Sequence, residues 1–172
     1  MISKKLEQLL NEQVKNEFYS AYLYLSMASY FESINLKGFA NWFRVQVQEE
    51  RDHALMFFDY MHKIGAEVEL LPIDQPETKF TSPKEVFEKT LAHEELVTSL
   101  IYNIMTVAQE EHDYKTTQFL QWFVSEQTEE EDNARGLIEK LKLAGNTESG
   151  LFLLDNELAT RVYVAPNTNS NN

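Results

Sequence analysis

The chain has 172 residues, of which 43% are hydrophobic and 25% charged, the balance of one folded domain with a sizeable core and not of a disordered polymer. Its net charge of −13 argues against nucleic acid or an anionic membrane as partner and for cations, and the absence of cysteine excludes disulfides, zinc fingers, iron–sulfur clusters and thiol catalysis. The opening Met1-Ile2-Ser3-Lys4-Lys5-Leu6 has no apolar run of the secretory kind, and no stretch reaches the roughly 18 apolar residues of a membrane span, so the expected compartment is the cytoplasm.

Glycine and proline punctuate the chain sparsely. No proline occurs between Met1 and Met61 or between Lys84 and Ala165, whereas an all-β chain needs turn residues every 8–12 positions or so. The first long segment runs from about Ser3, a candidate N-cap, to Glu32 and ends in the polar turn Glu32-Ser33-Ile34-Asn35. The second runs from about Leu36 to Ile64 and stops at Gly65, a residue suited to the left-handed position after a helix. The third opens at Ser82-Pro83-Lys84-Glu85, a capping box with proline in the first turn, and extends to about Glu111. His112-Asp113 turns the chain into the fourth, which continues to Ala144 before Gly145. Each segment of about 28–30 residues spans roughly 42–45 Å as a helix.

Apolar residues recur at helical spacing in all four segments, which predicts an all-α four-helix bundle in residues 1–145. The two short turns make each consecutive pair an antiparallel hairpin. Residues 65–82, with Pro72 and Pro76, reach roughly 59 Å when extended, enough for a long crossover that sets the second and third helices parallel. A short fifth helix is expected in residues 146–163, on the stripe Leu151, Leu154, Leu158 and Val162, with a disordered polar tail at 164–172.

Each of the four stripes is interrupted near its midpoint by carboxylates or amides. Glu17 to Glu50 and Glu94 to Gln127 are both 33 residues apart, while Glu17 to Glu94, Glu50 to Gln127, His53 to Glu130 and Glu49 to Glu126 are all 77 apart. The chain reads as two copies of one hairpin, with an acidic residue in the first helix and an [E/Q]-x-x-[H/E] pair in the second. With glutamate at 22 positions, Glu50-x-x-His53 alone is weak; phase and height together raise the pattern above chance, because these residues come level in one cross-section of the bundle. Asp59-x-x-His62 falls on the opposite face of its helix, and His93 and His112 are expected at the surface or in a turn. A buried polar network that fixes helix register is the alternative reading. Four buried carboxylates with one histidine and no Lys or Arg at their level call for two divalent cations, and carboxylate with imidazole suits iron or manganese.

At Glu17, Glu50-Arg51-Asp52-His53, Glu94 and Gln127-Thr128-Glu129-Glu130 the sequence resembles the ferritin family, specifically the non-haem ferritins of prokaryotes, over about residues 1–163. The resemblance implies a ferroxidase centre: Glu17, Glu50 and His53 on one iron, Glu50 bridging, and Glu94 with Gln127 or Glu130 on the second. It also implies a third iron position built from Glu49, Glu126, Glu129 and Glu130. Tyr24, two turns after Glu17, resembles the family tyrosine that hydrogen-bonds a ligand and supplies an electron; a plain core aromatic is the other reading. Arg51 stands where haem-binding relatives carry methionine, so haem is not expected. The implied activity is oxidation of ferrous iron by dioxygen and storage of the ferric product in a shell of 24 copies. The long apolar run of the first segment and the fifth helix, placed by resemblance at the four-fold axis of the shell, agree with assembly. A di-iron oxidase or oxygenase without storage, and a metal-free bundle, remain the alternative classes.

Overall fold

The computed structural model describes residues 2–145 and 147–166. Five helices follow in order: α1 (Lys4–Ser33), α2 (Lys37–Lys63), α3 (Pro83–Glu110), α4 (Tyr114–Ala144) and α5 (Glu148–Leu158). The four long helices match the sequence expectation to within a residue or two at each end. Ser3 Oγ accepts from Leu6 N at 3.1 Å and Ser82 Oγ from Glu85 N at 3.2 Å, so both expected N-caps form. The return bond of the capping box shifts by one residue, since Glu85 accepts from Thr81 N at 2.7 Å. Gly65 and Gly145 adopt φ of 72° and 61°, and the two tight turns place Asn35 and His112 at positive φ as well.

α1 packs along α2 and α3 along α4, with α1 also against α3. Residues 64–82 form no regular structure, yet their path is fixed by α1. Glu67 N donates to Glu7 and Glu69 N to Asn11 Oδ1 near one end of that helix, Lys15 pairs with Asp74 in its middle, and Ser26 Oγ donates to Glu77 O further on. Phe80 meets the ring of Tyr30 with centroids 5.7 Å apart. The connection therefore travels the length of α1, as the long crossover requires.

The core is divided into two. One half gathers Tyr24, Phe31, Phe39, Trp42, Phe43, Phe87 and Leu141 at the end that α5 covers; the other gathers Leu6, Leu10, Phe57, Met61, Ile101 and Phe123 at the opposite end. The polar stripe residues Gln13, Glu17, Gln46, Glu50, His53, Glu94, Gln127 and Glu130 are all buried, on the helix turns between these two halves.

The fifth helix differs from the expectation. It ends at Leu158, and Val162 lies beyond it, exposed. Leu154 and Leu158 are buried in the subunit's own core beside Leu151, not left over for a symmetry axis. The reason is the start of α2, where Leu36 offers no side-chain cap. Asp155 Oδ1 fills that role, accepting from Gly38 N at 2.7 Å and Phe39 N at 3.0 Å. The approach is so close that a β-carbon on Gly38 would stand 1.7 Å from Asp155 O. The surplus apolar surface of α1 is also smaller than expected: Leu23, Met27 and Phe31 are buried, leaving Tyr22 and Leu25 exposed. Of the expected tail, residues 167–172 lie outside the described residues, as does Asn146.

Candidate metal centre

Each long helix brings at least one polar side chain to the gap between the two core halves. α1 brings Glu17, α2 brings Glu50 and His53 on one face through their three-residue spacing, α3 brings Glu94, and α4 brings Gln127 and Glu130. Glu17, Glu50 and His53 each offer a ligand atom, and these three atoms lie within 4.8 Å of one another. His53 Nδ1 stands 3.6 Å from Glu50 Oε2. That is too long for a hydrogen bond, but two donors about 2.1 Å from one ion are about 3.5 Å apart at a tetrahedral angle.

The remaining polar atoms hold these groups in place. Gln13 Nε2 donates to Glu17 at 2.8 Å, and Gln46 Nε2 donates to Glu130 at 2.9 Å. Gln127 Nε2 donates to Glu94 Oε2 at 3.1 Å and reaches Thr98 Oγ1 at 3.3 Å. The Tyr24 hydroxyl donates to Glu94 Oε1, so this tyrosine is more than a core aromatic. His53 Nε2 and Gln46 Oε1 are buried without a hydrogen-bond partner; His53 Nε2 faces Glu126 at 3.7 Å.

Burial dominates the electrostatics. It raises the pKa of Glu17 and raises that of Glu50 well above the carboxylate range. It also pushes Glu94 up to about 7 and Glu130 up to about 8, with neighbouring carboxylates adding to the Glu130 shift. Burial alone would lower His53, but Glu126, Glu50 and Glu17 around it win and hold it well above the usual imidazole value. Burial, then Glu94 and Glu50, hold the Tyr24 phenol well above its ordinary value. Among the described residues no Lys or Arg pairs with Glu17, Glu50, Glu94 or Glu130. Such a cluster suits cations that replace protons.

The residues expected at a third position are only partly gathered. Glu49 and Glu126 flank the centre with side chains 18% and 25% exposed, and Glu126 touches His53. Glu129 is exposed on α4. Glu49 is held by Arg161 at 2.8 Å, a contact with no periodic signal in the sequence. Gln13 and Gln46 stood out as polar interruptions, but their bonds to Glu17 and Glu130 needed the helix rotations. His93, expected at the surface or in a turn, is half-buried within α3. It lies between α1 and α3, Nε2 2.8 Å from Ser20 Oγ, its ring against Tyr24 and Tyr19, and burial lowers its pKa to about 4. Asp59 and His62 are exposed on the far face of α2, and His112 lies in the turn before α4, both as expected.

Comparison with known proteins agrees with this geometry. The family model for the ferritin-like domain matches residues 7–144. A bacterial non-heme ferritin of Campylobacter jejuni is 43% identical over 155 residues, 90% of this chain and 93% of that protein. One from Bacteroides fragilis is 42% identical over 161 residues, 94% of this chain and all of that protein. Among solved structures, an open pore ferritin from the archaeon Archaeoglobus fulgidus superimposes with a TM-score of 0.92 at 48% identity, covering 94% of this chain and 98% of that one. A buried carboxylate–histidine group at the waist of a crossover bundle, a family match over most of the chain and close structural likeness together place this chain in the ferritin family.

Proposed function

We propose that this chain stores iron, oxidising Fe(II) to Fe(III) with dioxygen at the buried centre and depositing the ferric product inside a shell of 24 copies. The observation that carries this reading is the buried group Glu17, Glu50 and His53, set beside Glu94 and Glu130 with no Lys or Arg counter-ion among the described residues. Glu17, Glu50 and His53 bind one ferrous ion. Glu94, with Gln127 or Glu130, binds the second, and Glu50 bridges. Each ion gives one electron to dioxygen, which takes two protons from water and leaves as hydrogen peroxide. Two carboxylates per ion balance the charge of the substrate, so iron enters as protons leave Glu17, Glu50, Glu94, Glu130 and the His53 ring, all of which hold protons more tightly than usual. Tyr24 holds Glu94 in place through its hydroxyl. The ferric product moves to the third position, built on Glu49, Glu126, Glu129 and Glu130, on its way to mineral.

The test is anaerobic Fe(II) loading followed by air, with absorbance and size-exclusion chromatography as readouts. Glu50→Ala and His53→Ala should each abolish rapid oxidation, since each removes a ligand of the first ion. Wild-type rates in both variants overturn the assignment. Full-length protein that oxidises iron yet elutes as a monomer of about 20 kDa overturns storage and leaves a di-iron oxidase.

A further inference from the structure

Residues 159–164 run back along α2 as a strap. Asn41 Nδ2 donates to the carbonyls of Leu158 at 3.2 Å and Arg161 at 3.0 Å. The Tyr163 hydroxyl donates to Asp52. Between these tethers the Arg161 guanidinium lies over the Trp42 ring, 4.6 Å from its centroid. It donates from Nη1 to Trp42 O at 3.2 Å and from Nη2 to Glu49 Oε2 at 2.8 Å. Stacking and two hydrogen bonds fix a planar fork in a way an ammonium could not match. Among the described residues Arg161 is the only Lys or Arg paired with any of the nine candidate metal ligands.

We propose that Arg161 is a positioning residue that reserves Glu49, acting as a tethered cation which an incoming metal ion must displace at the third position. The idea rests on the third-position reading above. Glu49 lies one residue before the bridging Glu50, and the Arg161 guanidinium stands 2.8 Å from its carboxylate. With the guanidinium in place, Glu49 is neutralised and its field no longer draws a cation away from Glu17, Glu50 and Glu94. A divalent ion arriving there meets a like charge within a few ångströms and must compete for the same oxygen. The strap thus orders occupancy: the two buried positions fill first and the third last.

The experiment uses the assembled, metal-free full-length protein titrated with Zn(II) in a calorimeter, Zn(II) being redox-inert. The wild type should take up two ions tightly and a third more weakly. Arg161→Gln should tighten the third by about ten-fold and leave the first two unchanged. Arg161→Lys, which keeps the charge, should stay closer to the wild type than Arg161→Gln does. Tyr163→Phe, which loosens the strap but keeps the guanidinium, should also resemble the wild type. An unchanged or weaker third site in Arg161→Gln overturns the proposal. So does equal tightening in Arg161→Gln and Arg161→Lys, or in Arg161→Gln and Tyr163→Phe, since the charge is then not the cause. Glu49→Gln separates the two ideas: if it loses no bound ion, the third-position reading itself fails.

Discussion

Glu94 and Glu130 have pKa values of about 7 and about 8, above the unfolded value of 4.5, and the sign of the resulting pH dependence follows. A carboxyl raised on folding binds its proton more tightly in the native state, so its stabilising contribution is complete below pH 4.5 and is lost as pH rises through the native value. Glu17 and Glu50, also raised by burial, act in the same direction, and so does the raised His53. The metal-free subunit should therefore lose stability between about pH 4.5 and 8, on the order of 3 kcal/mol for Glu94 alone. Saturating divalent cation should reverse the trend, because the ion binds the deprotonated form. Thermal unfolding of chelator-treated and Zn(II)-loaded protein across this range checks both; a metal-free Tm that rises with pH through 7 contradicts the assignment. At this scale the sequence was largely legible. Phase and height alone marked Glu17, Glu50, His53, Glu94, Gln127 and Glu130, because a carboxylate in an apolar helical stripe has few structural uses. His93 was not legible, since its burial depends on how α1 rotates against α3, and a lone histidine carries no periodic signal.

The elements were legible in proportion to their repetition. Four helices of some thirty residues announce themselves by spacing, with serine caps opening α1 and α3 and glycine stops closing α2 and α4, and the crossover by its length. The eleven residues of α5 do not show which way their apolar face turns, and its use was misread for that reason. Counting four helices makes a closed bundle with no place for Leu151, Leu154 and Leu158, whereas its end above Phe39 and Trp42 is open until α5 covers it. The missing cap on α2 was visible in the sequence, Leu36 being a poor N-cap, but its supplier, Asp155, is 117 residues from Gly38. Asp155→Ala should cost about 1 kcal/mol, as cap removals do. Gly38→Ala should cost more, because its β-carbon meets the backbone of α5 and the helix must lift off Leu137 and Leu141 to admit it. Urea unfolding measures both, and hydrogen exchange should localise the loss to the start of α2 and to α5. A neutral Gly38→Ala would mean that α5 does not sit where the structure places it.

Apolar side chains that the single subunit leaves in water bear on the whole molecule. On α5 the buried edge is Leu154 and Leu158, while Phe152 and Leu153 on the other side are 65% and 70% exposed; on α1, Tyr22 and Leu25 are exposed as well. Exposed apolar side chains on these two helices of an otherwise strongly acidic protein point to contact with further copies. The two faces of α5 thus have separate tasks, which two variants can tell apart. Phe152→Asp with Leu153→Asp changes only the outer face. It should lower the assembled fraction on size-exclusion chromatography while the subunit keeps its helical circular dichroism and its Tm within a few degrees. Truncation after Gly145 removes both faces. It uncovers Leu137 and Leu141, takes away Leu154 and Leu158 at about 1.5–3 kcal/mol each, and leaves Gly38 N and Phe39 N without their cap. Its subunits should therefore melt well below those of the double variant, besides failing to assemble. If the truncated chain is as stable as the full one, the inner face contributes nothing to the subunit; if the double variant assembles like the wild type, the copies meet through surfaces other than Phe152 and Leu153.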